Sequence, residues 1–202
     1  MLVAINNQNP QMWLIRRAVE TLKNGGIVIY PTDTVYGMGC DLFNKRGIEM
    51  IYAIQRRNRK QPLSFVCANL KDISRYARVS NDAYKIMRRL LPGPYTFILE
   101  ASRLVPKIIL PKRQTTGIRI PDNRICQALV AELGSPVIST SVKDETGELL
   151  SDPRVIEELF GKRVDMIIDG GIIAAEPSSV VSLLHGGVEV IRAGKGDVSA
   201  FL

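Results

Sequence analysis

The chain has 202 residues, 46% apolar and 23% charged, with a net charge of +7, three cysteines and one histidine. That length suits one large domain or two small ones with a sizeable core, and the apolar runs fall short of the roughly 18 residues of a membrane span. The start "MLVAINNQNP" has no secretory pattern, the odd, scattered Cys40, Cys67 and Cys126 form no disulfide framework, and His185 alone cannot build a zinc site or a histidine triad.

A reduced, cytoplasmic setting is the expectation. Charge is polarised: residues 1–124 hold 21 Lys and Arg against 8 Asp and Glu, net +13, whereas residues 125–202 hold 6 against 12, net −6. Either a basic face meets an anionic partner, or the two halves fold together and the charges balance in space.

In chain order, "NPQMWLIRRAVETLKNGG" predicts a helix burying Leu14, Ile15, Ala18, Val19 and Leu22, with Asn9 as N-cap and Gly25 at the exit. "GIVIYPT" reads as a strand stopped by Pro31. "RGIEMIYAIQRR" predicts a helix burying Ile48, Ile51 and one of Tyr52 or Ile54. The strand "PLSFVCAN", the helix "NDAYKIMRRLLPG" and the strands "YTFILEAS" and "TTGIRIP" follow. "NRICQALVAELG" is a helix closed by Gly134, and "SPVISTSV" a strand. "DPRVIEELFG" is a helix capped by Asp152 with Pro153 first. Three strands end the chain: "VDMIID", "SSVVSLL" and "VEVIRAG". Successive strands without helices argue for a mixed sheet in one α/β domain over residues 1–202. The polar stretch 143–151, "KDETGELLS", reads as a mobile loop.

Several segments could carry chemistry. "YPTDTVYGMG" offers the hydroxyls of Thr32, Thr34 and Tyr36, the Asp33 carboxylate, and two glycines that allow close backbone approach. It is a small-ligand site or a capped turn. It lacks the third glycine of a dinucleotide fingerprint, and no P-loop pattern occurs. In "GIRIP", alternation turns Arg119 away from Ile118 and Ile120, towards solvent or into an anion-binding cavity. In "VISTSVK", Ser139, Ser141 and Lys143 share a face that suits phosphate oxygens, or form an ordinary Ser/Thr-rich strand end. "EPSSVVS" and "VIRAGKGD" add Ser178, Ser179 and Arg192. No acid pair, metal cluster or activated nucleophile stands out, so catalysis would rest on positioning and charge neutralisation. The basic run "IQRRNRKQP" carries Arg56, Arg57, Arg59 and Lys60.

Taken in series, "YPTDTVYGMG", "AIQRRNRKQPLSF", "LPGPYTFIL", "GIRIP", "VISTS", "VDMIIDGG", "PSSVVSL" and "VIRAGKGD" resemble the YrdC/YciO family, and especially its short YciO branch without an extra C-terminal domain. The resemblance implies a YrdC/RibB-like twisted open α/β sheet around a deep basic cavity, with ATP and RNA as ligands. Synthases of this family combine threonine, bicarbonate and ATP, with magnesium, into threonylcarbamoyl-AMP for tRNA modification. By resemblance, Thr32, Thr34 and Tyr36 line the threonine end, and Arg57 and Ser141 match the arginine of a KxR motif and the serine of an SxN motif. Arg119, Ser139, Ser178 and Arg192 match positions near nucleotide and carboxylate.

Two positions depart from the motifs. The lysine of KxR is Gln55, and the asparagine of SxN is Lys143; Ser182 also stands where an acid is frequent. One reading is a charge moved from one cavity wall to the facing one. The competing function is a non-catalytic protein for structured RNA, held through backbone charge by Arg56, Arg59, Lys60, Arg88, Arg89, Lys112 and Arg113. A basic enzyme for another acidic metabolite is the third possibility.

Overall fold

The stripe Leu14, Ile15, Ala18, Val19 and Leu22 is buried along α1 (Met12–Lys23) in the computed structural model, which describes residues 1–58, 61–106 and 114–201. The N-cap is Gln11, not Asn9. Asn6 is the reason: its side-chain oxygen accepts the N–H groups of Gln8 and Asn9 at 2.8 and 2.9 Å, closing a local loop that delays the helix.

The remaining helices begin where a side chain can take up a free N–H. Helix α2 (Lys45–Ile54) is capped by Asn44, α3 (Leu70–Tyr76) by Asn69, and α4 (Asn81–Leu90) by Ser80. Helix α5 (Arg124–Leu133) is capped by Asn123 and closed by Gly134 at φ +76°. Asp152 caps α6 (Pro153–Phe160), with proline in the first turn. Each such cap stabilises its helix by about 1 kcal/mol.

The strands are β1 (Leu2–Ala4), β2 (Val28–Tyr30), β3 (Gly37–Asp41), β4 (Ser64–Val66), β5 (Ala77–Arg78) and β6 (Tyr95–Ala101). They continue as β7 (Thr115–Arg119), β8 (Val137–Ser141), β9 (Met166–Asp169), β10 (Ser179–Ser182) and β11 (Glu189–Arg192). They form one mixed sheet in the order β1-β9-β2-β3-β8-β4-β7-β6-β10-β11, with β5 beside β6. Strands β3, β8 and β4 run antiparallel to their neighbours in turn, whereas β4 and β7, and β6 and β10, are parallel.

Helices cover the two faces unequally. Residues from α2, α3, α4 and α6 join Met38, Phe65, Phe97, Leu99, Ile118 and Ile138 in one core. On the other face, α1 and α5 pack with Val28, Tyr30, Val137, Met166 and Ile168, towards one end of the sheet. Among the described residues no helix covers much of the face across β8, β4, β7, β6 and β10, and it becomes the floor of a cavity.

The segment 143–149 is a hydrogen-bonded turn. Lys143 and Leu149 form an antiparallel bridge. The Asp144 side chain accepts from the N–H groups of Thr146 and Glu148 at 2.8 and 2.9 Å, and Gly147 turns the chain at φ +91°.

Candidate anion-binding cavity

Strand alternation builds this site. On β7, Ile118 enters the core while Gly117 and Arg119 face the opening; on β8, Ile138 enters the core while Ser139 and Ser141 face the opening. Thr96 and Ile98 of β6, Ser64 of β4 and Val180 of β10 complete the floor of a cavity of about 520 Å³. Thr32, Arg57, Thr140, Lys143, Ser178 and Arg192 line it as well. A second concavity of about 660 Å³, with Arg78, Glu100 and His185, meets it at Thr115.

Arg119 points inward, and it already has an anion. Its Nη2 donates to Asp33 Oδ1 at 2.9 Å and to Thr34 Oγ1 at 2.7 Å, and both members of the ion pair are about nine-tenths buried. Thr32 Oγ1 donates to the Val35 carbonyl at 2.6 Å, so its contact with Thr34 Oγ1 at 3.1 Å is one it accepts. The Thr32 and Thr34 hydroxyls thus fix the turn that presents Asp33 to Arg119. The other Asp33 oxygen accepts the Asp122 N–H at 3.0 Å.

Arg57 and Arg192 differ from Arg119. Arg57 donates to Thr140 Oγ1 and to the Pro62 carbonyl, both at 3.0 Å, and to the Gln61 carbonyl at 3.3 Å. Arg192 donates twice to the Ser178 carbonyl, at 3.1 and 2.7 Å, and Ser178 Oγ lies 2.8 Å from Thr96 Oγ1. These partners are neutral. Among the described residues neither guanidinium has a carboxylate at ion-pair distance. Desolvation lowers the Arg57 pKa from the ordinary arginine value, against a smaller pull from Tyr52. Desolvation, then the Arg119 charge, lowers that of Arg192. Both guanidinia stay protonated, so a bound anion would relieve the strain on them.

Gln55 and Lys143 do not face each other across the cavity. The Gln55 amide accepts the Lys143 N–H at 3.2 Å and donates to the Lys143 carbonyl at 3.5 Å. The expectation of facing walls is corrected to direct contact, because the turn after β8 folds onto the end of α2.

Other expected residues fall elsewhere. Tyr36 lies in the helix-covered core; its hydroxyl donates to the Gly171 carbonyl at 2.7 Å and accepts the Gly170 N–H at 3.2 Å. Burial pushes its phenol pKa up to about 12. Gly37 and Gly39 admit the Tyr30 ring: a Cβ on either would lie 3.1 Å from it. Arg88 and Arg89 are exposed in the last turn of α4, on the helix layer behind the cavity floor. Arg56 is exposed and pairs with Glu145 at 2.9 Å. Arg59, Lys60, Lys112 and Arg113 lie outside the described residues. Thr96, Thr140 and Lys195, whose Nζ donates to the Asp33 carbonyl, were not singled out by sequence. Alternation along "YTFIL" is the signal that could have found Thr96.

Among the described residues no three His, Cys, Asp or Glu side chains cluster as metal ligands. No helix of the described residues is long and apolar enough to cross a membrane.

Three known proteins show comparable chains. The uncharacterized protein YciO of Escherichia coli K12 is 40% identical over 200 residues, 98% of this chain and 97% of that one. A crystal structure of E. coli YciO superposes with a TM-score of 0.96 at 39% identity, covering 100% of this chain and 99% of that one. Sua5 of P. abyssi complexed with L-threonine gives a TM-score of 0.90 at 25% identity, covering 96% of this chain and 57% of that one. The threonylcarbamoyl-AMP synthase of Coxiella burnetii is 29% identical over 159 residues, 77% of this chain and 84% of that one. A family model for Sua5, YciO and YrdC, described as "Telomere recombination", matches residues 20–194. With that match over most of its length, the chain belongs to the Sua5/YciO/YrdC family.

Proposed function

We propose that the cavity binds ATP and L-threonine and supports formation of threonylcarbamoyl-AMP from them and bicarbonate. The observation that carries this reading is the set Arg57, Lys143 and Arg192. Three cations line one cavity without a carboxylate partner among the described residues, beside the hydroxyls of Ser139, Ser141 and Ser178. Such a surface suits a polyphosphate. The relatives named for threonine and for threonylcarbamoyl-AMP support the choice of substrates. Asp33, the carboxylate beside the cavity, is committed to Arg119, so magnesium would arrive with the nucleotide's phosphates.

The test is pyrophosphate release with ATP and bicarbonate, with and without threonine. Threonine-dependent release is expected; ATP binding without it would reduce the reading to a nucleotide-binding protein.

A second reading, binding of structured RNA, rests on Arg88 and Arg89. They are exposed on α4 and lack a carboxylate partner among the described residues. Affinity for a tRNA or a duplex RNA that falls steeply with salt is the expected result. Affinity indifferent to salt would overturn it.

A further inference from the structure

The end of α2 is bound to the turn after β8 at several points. Helix α2 stops at Ile54, and the Arg57 N–H reaches back to the Tyr52 carbonyl at 2.9 Å across Arg56, which sits at φ +45°. A left-handed arginine costs about 1 kcal/mol, and its neighbours hold it. Arg163 donates to the Ile54 carbonyl at 2.9 Å, Arg56 pairs with Glu145, and Gln55 makes both of its amide bonds to Lys143. Around the left-handed turn, the three consecutive side chains take different tasks. Gln55 holds the turn, Arg56 pairs outside, and Arg57 enters the cavity.

We propose that Gln55 is a positioning residue that acts through Lys143. Its amide pairs with the Lys143 peptide as a neighbouring strand would, donor to carbonyl and acceptor to N–H. That pairing fixes the backbone of Lys143 where it lines the cavity, and makes Lys143 a phosphate-binding cation of the site. The inference rests on the nucleotide-binding reading above. A lysine at position 55 has three donors and no acceptor. It would leave the Lys143 N–H without its side-chain acceptor. An amide at 55 thus serves both polar groups of the residue-143 backbone, which a lysine at 55 cannot do.

A double-mutant cycle tests this. Magnesium-ATP and inorganic pyrophosphate are titrated calorimetrically into the intact chain, Gln55→Met, Lys143→Met and the double variant, each checked for an unchanged thermal midpoint. Lys143→Met is expected to bind about tenfold more weakly, as for one lost charge-assisted contact. Gln55→Met should lose a similar factor, and the double variant should be no weaker than Lys143→Met alone. Amide exchange at Lys143 should quicken in Gln55→Met, which a direct ligand contact by Gln55 would not cause. Additive losses, or full affinity in either single variant, would overturn the inference while leaving nucleotide binding intact. Should the intact chain bind neither probe, the nucleotide reading falls and the inference falls with it. If Gln55→Met does not fold, Gln55→Glu, which keeps the acceptor and loses the donor, replaces it in the cycle.

Discussion

On β6, Tyr95, Phe97 and Leu99 join the helix-covered core, while Thr96 and Ile98 between them open onto the cavity. The same contrast runs across the sheet. Ile118 is set against Gly117 and Arg119 on β7, and Ile138 against Ser139 and Ser141 on β8. One face is built for burial, since each large apolar side chain gains about 1.5–3 kcal/mol from leaving water. The other gives up that gain over several strands and carries hydroxyls and cations. A polar half-face that none of the described helices covers is a cost to stability that binding would explain.

The comparison is tested most severely at Arg119, where the open face keeps a buried charge. Arg119→Met would leave Asp33, nine-tenths buried, without its cation. We expect a loss of about 4 kcal/mol in urea unfolding, with part recovered in the double variant with Asp33→Asn. Next comes the covered face itself. Phe97→Ala should cost about 3 kcal/mol, whereas Ile98→Ala, one residue along and half-buried, should cost about 1. Similar values for the two would erase the distinction between the faces. Smaller again is the effect at the β3 glycines. A Cβ on Gly39 would run into Val137 Cγ1 and stand 2.7 Å from the Ile138 carbonyl, so Gly39→Ala should lose about 2 kcal/mol. At Gly37 the nearest atom is Ser139 Oγ at 2.9 Å, and about 1 kcal/mol is expected.

The two faces were also unequally legible from sequence. Helical periodicity exposed the α1 stripe, and local cap chemistry exposed Asp152–Pro153 and Gly134, because those signals lie within a few residues. Mixed strand order was legible from strands that follow one another without helices. Helix α3 escaped, with only Ile73 and Tyr76 buried in seven residues, too few for a period. Strand β1 is three residues long at the sheet edge, and β3 reads "GMGCD", a poor strand by propensity that pairs with β2 on one side and β8 on the other. In the cavity, alternation turned Arg119, Ser139 and Ser141 to the correct face. It could not show that Arg119 meets Asp33, 86 residues away, or that Gln55 meets Lys143. Those contacts exist only once the sheet order brings the segments together. Tyr36, drawn to the ligand by resemblance, follows the parity of Met38 and Cys40 into the core.

The finest test separates the cations that share the open face. Arg119 is neutralised within the protein, so its removal should register mainly in stability. Among the described residues Arg192 has the Ser178 carbonyl and hydroxyl as hydrogen-bond partners, and the nearby Arg119 charge further disfavours its own. Arg192→Met should therefore cost about 1 kcal/mol of stability for a carbonyl left unpaired. Its main effect should be on nucleotide affinity, with magnesium-ATP binding about tenfold more weakly in a calorimetric titration. A variant that binds ATP as the intact chain does would place the phosphates away from β11. The cationic half of the comparison would then rest on Arg57 and Lys143, at the opposite end of the cavity floor, where α2 and the turn after β8 meet.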